Sequence, residues 1–171
     1  MTPEQSLFAR DFFLSSFEHE FATTKRVLSA VPDNKRDYQP HSKSRTAAEL
    51  TWHLVDSETR LLQSLFEGSM KGMGQSTPAP ESIGALISYY ETNFKSGIGK
   101  LKQLSGQQLA APAPFFGMNL PLVSYLQFVL NHSVHHRGQL STYLRPMGST
   151  VPSIYGASGD ETNAAGDSAS A

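Results

Sequence analysis

A chain of 171 residues, 39% of them hydrophobic and 17% charged, fits one domain and is long enough to bury a sizeable core. A net charge of -1 argues against a constitutive nucleic-acid binder, and no apolar run reaches the roughly 18 residues that a membrane-spanning helix needs. Cysteine is absent, which excludes disulfides, thiolate metal ligands and a cysteine nucleophile, so any metal here is held by nitrogen and oxygen.

The first stretch carries Glu4, Arg10, Asp11, Glu18 and Glu20 without a basic start and an apolar core, so it does not read as a secretory signal and a cytoplasmic location is expected. A first helix is predicted from about Pro3, which a first turn tolerates, to about Ala30. Phe13, Phe17, Phe21, Thr24 and Leu28 repeat along it at helical spacing. Pro32, Asp33, Asn34 and Pro40 then supply turn chemistry. Lys35, Arg36, Lys43 and Arg45 form a local basic group in this connection, read first as a solvated loop and second as an anion site; no interleaved aromatics suggest base stacking.

The second helix takes Ser44 or Thr46 as its N-cap, with Glu49 three residues after Thr46 as in a capping box, and runs to about Phe66. Leu50, His53, Leu54, Ser57, Leu61 and Leu65 share a stripe, which turns His53 inward. Glycine, proline and serine between residues 67 and 82 predict a flexible connection, long for a helix hairpin. A third helix follows from Pro80 or Ser82 to about Leu104, with Ile83, Leu86, Ile87, Tyr90, Phe94, Ile98 and Leu101 inward and Gly97 and Gly99 lowering its propensity. Residues 105–121 read as a second irregular crossing. The last helical run extends to Pro146 and Gly148, and its Leu122, Tyr125, Leu126, Val129 and Leu130 cover more than one face, as a central helix or a subunit contact would. Val151, Ile154 and Tyr155 are expected to pack across the result. The expected fold is all-α, a four-helix bundle with two long connections over residues 1–156, followed by a disordered tail over 157–171.

His132 and His136, four apart on one helix, project from one face about a turn apart, a spacing that a single ion bridges. His53, from the other helix, is the candidate third ligand. Alone, an inward histidine is more often a satisfied core residue than a ligand, and helical histidine pairs also arise in ordinary polar clusters. His135 lies about 100° around the helix from His136 and cannot share the ion without distortion; it reads as a residue beside the ligands or at an interface.

The segments "HSKSRTAAELTWHLVDSE" and "NHSVHHRGQLSTYLRPMGSTVPSIYG" together resemble the DinB/YfiT-like superfamily, and the resemblance runs from Leu7 to Gly156. Its most specific part is "HHRGQLSTYLRPMG" followed by "VPSIYG". The resemblance implies a divalent metal on His53, His132 and His136, a homodimer, and chemistry on low-molecular-weight thiols as an S-transferase or thiol-dependent isomerase; it names no substrate. Arg137, Gly138 and Gln139 belong to the same pattern. Arg137 is expected to hold a carboxylate of another helix, Glu58 or Asp56. Gly138 costs about 1 kcal/mol relative to Ala in a helix, which a close helix approach would explain. Gln139 orients a ligand, contacts substrate, or packs. Tyr143, a further turn along the histidine stripe, and Trp52, beside His53, are more often core than site.

Three neutral imidazoles leave coordination positions open, so the site suits catalysis more than structure. Zn²⁺ fits such a donor set, and Ni²⁺, Fe²⁺ or Mn²⁺ would be accepted with extra water. No HExxH motif supplies a metalloprotease base. The reading is therefore a metal-dependent enzyme acting on a small molecule with a thiol; the alternative is a non-catalytic, stress-related metal-binding bundle dimer.

Overall fold

A computed structural model describes residues 1–69 and 77–161. Helix α1 (Pro3–Ser29) opens on a capping box between Thr2 and Gln5. Helix α2 (Ala47–Glu67) opens on Thr46, whose hydroxyl accepts from the Glu49 amide while the Glu49 carboxylate accepts from the Thr46 amide. Two orphan amides of the first turn are thereby satisfied, as the sequence predicts. Helix α3 (Ile83–Leu101) is capped by Ser82. A five-residue helix α4 (Gly106–Ala110) and a hairpin of β1 (Pro112–Phe115) and β2 (Met118–Pro121) lead into helix α5 (Tyr125–Leu144).

Four long helices form the bundle, in which α1 and α2 each pack against both α3 and α5, so that α1 and α2 are diagonal. Cross-helix contacts give the directions. Glu58 meets Tyr90 and Gln63 meets Lys100, so α2 and α3 are parallel. Lys102 meets Glu18 while Lys25 meets Glu91, so α1 and α3 are antiparallel. Tyr143 reaches the Arg45 carbonyl and His136 reaches His53, so α2 and α5 are antiparallel. Two consecutive parallel helices require a connection that returns along the bundle, which is why the link after α2 is long. The flexible connection expected over 67–82 falls partly on 70–76, outside the described residues. Among the described residues, no helix is long and apolar enough to cross a membrane.

The crossing at 105–121 is ordered where the sequence reading expected irregular chain. Pro112 and Pro114 sit exposed on a two-stranded edge, where a missing amide costs nothing, while Ala113 and Phe115 turn inward. The turn is the two residues Phe116 and Gly117, with φ of 52° and 72°. That is the mirror-image turn that matches strand twist and ordinarily takes Asn-Gly. A phenylalanine there costs roughly 1–2 kcal/mol. The Tyr125 hydroxyl ties the hairpin to α5, donating to the Ala113 carbonyl at 2.8 Å and accepting from the Leu120 amide at 3.2 Å.

The apolar width of α5 is absorbed within the chain, since Leu122, Tyr125, Leu126 and Val129 are all buried and Leu130 is partly so. Gly138 corrects an expectation: a Cβ built there meets nothing within 4 Å among the described residues, so none of the described helices approaches it closely. Close approach occurs instead at Gly97, whose added Cβ would lie 3.1 Å from Leu62.

Arg137 corrects another. It is 1% exposed and pairs with Glu20 of α1, not with Glu58 or Asp56. Asp56 is taken by Arg60 one turn along its own helix, at 2.6 Å. Glu58 is fully buried at the Tyr90 and Ser133 hydroxyls, and burial pushes its carboxyl up to about 7 even though Arg137 pulls the other way. Tyr155, with an exposed ring, accepts from Arg137 at 2.6 Å and donates to Glu20 at 3.0 Å. The segment around it is tied to the α1/α5 face: Ser149 donates to the Ala30 carbonyl, and Arg26 to that of Ser153. Asp160 binds Arg145 and the Val151 amide. The first residues of the expected tail thus belong to this strap, and 162–171 lie outside the described residues.

Replacing Arg137 with Ala leaves the partly buried Glu20 carboxylate without its partner and is expected to cost about 3–5 kcal/mol in urea unfolding. Gly138→Ala is expected to raise stability by up to about 1 kcal/mol, and Gly97→Ala to lower it. A destabilised Gly138→Ala would show that something outside this chain packs there.

Candidate metal centre

The antiparallel pair α2/α5 sets His53 against His132 and His136. Ring centroids lie 5.3 Å apart for His53 and His132 and 4.5 Å apart for each of the other two pairs. One nitrogen from each residue can be chosen so that all three lie within 4.8 Å of one another. The Nε2 atoms of His53 and His136 are 3.1 Å apart. Two nitrogens on a tetrahedral ion with 2.0–2.1 Å bonds are separated by about 3.3 Å, so the pair already has a shared-ion spacing.

The outer nitrogens set the ring orientations. His53 Nδ1 lies 3.3 Å from Ser57 Oγ, and His136 Nδ1 lies 3.1 Å from Gln139 Oε1. With Gln139 accepting, Nδ1 of His136 carries the proton and Nε2 faces the cluster as a lone pair. Among the described residues, His132 Nδ1 is buried without a hydrogen-bond partner. A buried imidazole nitrogen in that state marks a place where something beyond the protein completes the bonding. The residues present thus fit a divalent ion.

Charge on the rings is suppressed. Burial, then the Arg45 guanidinium and His136, pushes His53 down to about 4. Burial and the two neighbouring imidazoles push His132 down to about 4, and burial lowers His136 as well. Neutral imidazole is the form that binds a metal. His53 and His132 are only partly buried, so one side of the cluster is open.

Two walls flank that opening. Lys43, Ser44, Arg45, Glu49 and Gln139 line one polar recess. On the other side the Phe128 ring lies 6.2 Å from His132, and Phe116 of the hairpin turn packs on Phe128 at 4.7 Å. No aspartate or glutamate joins the three histidines among the described residues.

The other sequence candidates separate. Gln139 touches the cluster directly. His135 is exposed, with its ring 4.8 Å from that of His136. Arg137 turns away into the core. Tyr143 is buried and donates to the Arg45 carbonyl at 3.2 Å, so it supports the basic wall without reaching the imidazoles. Trp52 packs edge-on against Tyr89. Arg36, one of the basic group, is committed to the carbonyls of Pro80 and Glu81. Ser57 and Phe128 escaped the sequence reading of the site although each lies four residues from a histidine. Phe116 carried no such signal.

The profile of the DinB family matches residues 5–166. The YrdA protein of Bacillus subtilis is 29% identical over 152 residues, 88% of this chain and 90% of its own. A DinB-like protein from Bacillus cereus superposes with a TM-score of 0.73 at 26% identity, covering 84% of this chain and 95% of that one. The DinB-like YjoA of Bacillus subtilis gives 0.67 at 25% identity, over 81% and 92%.

In metal-free protein the unfolded chain binds protons to His53 and His132 below about pH 6.5, while the folded one resists until about pH 4, and His136 is lowered in the same direction. Their contribution is therefore complete above pH 6.5 and falls as pH drops toward 4. Melting temperature against pH, wild type minus a triple His→Gln variant, should decline over that window; a flat difference would contradict the depressed values.

Proposed function

The chain belongs to the DinB family, and on that footing we propose that it is a metal-dependent enzyme that transfers or isomerises a small molecule with the help of a low-molecular-weight thiol. The observation that carries this reading is the convergence of three neutral imidazole nitrogens at a partly exposed face beside a polar recess. His53, His132 and His136 would hold the ion, with Zn²⁺ the natural occupant and Ni²⁺, Fe²⁺ or Mn²⁺ compatible with the same nitrogens. Such an ion, when bound, polarises what it holds and brings the pKa of a bound water or thiol toward neutrality.

The protein's own groups supply orientation. Gln139 and Ser57 fix two rings, and the Arg45 charge both disfavours protonation of the imidazoles and draws anions to the opening. Peptide hydrolysis is disfavoured because, among the described residues, no carboxylate joins the three histidines to serve as base. The same lack supports the second reading, a non-catalytic metal-binding bundle. The polar recess favours the enzyme, since a purely structural site is closed. A homodimer comes with the family resemblance, and the cytoplasmic setting expected from the sequence would keep such thiols reduced.

Protein purified without chelator or added metal is expected to carry close to one divalent ion per chain by mass spectrometry. A His53→Ala, His132→Ala and His136→Ala variant should lose it. Wild type and variant both empty after loading with Zn²⁺ and Ni²⁺ would reduce the triad to a polar core cluster. Metal-loaded protein should then accelerate loss of thiol in the presence of an electrophile, and the variant should not.

A further inference from the structure

Helix α5 presents Phe128, His132, His136 and Gln139 in successive turns. At 1.5 Å per residue, Phe128 stands about 12 Å along the axis from His136, with His132 between. The histidines thus lie between an aromatic end and a polar end. At the polar end Lys43 and Arg45 line the recess with Gln139, and among the described residues neither has a carboxylate within ion-pair distance. Glu49, in the same recess, is committed to the Thr46 amide and hydroxyl. The recess therefore sets two cations against one carboxylate and keeps a net positive charge.

At the aromatic end Phe128 is 39% exposed and Phe116 47%. Phe116 is the non-glycine residue with positive φ among those described. A strained backbone that displays an apolar ring toward water, where asparagine would relieve both, points to a use for the ring. Phe116 and Phe128 together make a two-ring face next to the open histidines.

We propose that the substrate is an amphipathic organic anion: its charged group sits in the Arg45/Lys43 recess, its aromatic or branched apolar part lies on Phe116 and Phe128, and its reacting centre is held over the three histidines. This rests on the metal-site reading above. Charge complementarity fixes one end of the ligand and aromatic contact the other, so selectivity arises from the distance between the walls.

The test uses the full chain loaded with Co²⁺, whose absorption reports the occupied site and thiolate binding to it. Three probes are titrated: 2-mercapto-3-phenylpropanoate, 2-mercaptopropanoate and 2-phenylethanethiol. The phenyl acid is expected to bind about tenfold or more tighter than the methyl acid, as burial of an aromatic ring would give. Phe116→Asn, which suits the turn and should melt at or above the wild-type temperature, should erase that advantage; Phe128→Ala should do the same. Arg45→Ala should weaken both acids about tenfold and leave the neutral thiol unchanged. An intact cobalt spectrum with the preference unchanged in both phenylalanine variants, or with all three probes equally weakened by Arg45→Ala, would overturn the ligand class alone. Failure to bind Co²⁺ at all would overturn the metal site and the ligand with it.

Discussion

A guanidinium with 1% of its surface exposed must be neutralised by its surroundings or the bundle does not close, and Arg137 meets that demand with groups from two separate parts of the chain. Glu20 of α1 supplies the charge, Thr24 and the Glu20 carbonyl accept further bonds, and Tyr155 closes the outer side from the strap. Arg137 follows His136 directly. Anchoring it toward α1 rotates α5 so that the preceding ring, about 100° around the axis, faces α2. The orientation of the histidines is in this sense a by-product of an ion pair on the neighbouring flank of the same helix.

The core holds a second unusual group in Glu58, raised to about 7 by burial. Its linkage has the opposite sign to that of the histidines. A carboxyl raised in the fold stabilises it while protonated, and that contribution fades as pH rises toward 7. The depressed imidazoles add stability over an overlapping interval. The two effects oppose one another in slightly acidic solution, so the whole protein responds to pH there less than the histidines alone would make it. Buried ionisable groups on the two sides of α5 buffer each other's influence on the fold.

The helices were legible in the sequence because local chemistry decides them. Pro3, the Thr46/Glu49 box and the Leu50–Leu65 stripe each act within a few residues. The histidine triad was legible because two members share a helix face and the third lies on an apolar stripe. Arg137's partner was not, since pattern tells that a buried arginine needs a carboxylate but not which helix lies beside it. Gly138 misled for a related reason: glycine's cost in a helix is intrinsic, whereas its benefit depends on a neighbour, and the neighbour turned out to be at Gly97. The hairpin was hidden by Pro112 and Pro114, which disfavour a central strand and are harmless on an edge. Phe116 takes the place where Asn would have announced the turn.

The parallel run of α2 and α3 also bears on the order of folding. His53 and His136 are separated by 83 positions, and α3, the crossing and the hairpin all intervene between them. No local contact brings the two rings together, and the loop-closure entropy between them has to be met by packing of the intervening elements. The cluster is therefore assembled late, when α5 docks against α2 and α1. An ion bound there binds the native state and not the open chain, and it lowers the population of every partly folded species in which α5 is detached. For this topology an ion held there would act as a latch on the last helix, its grip expressed chiefly in how slowly the finished bundle comes apart.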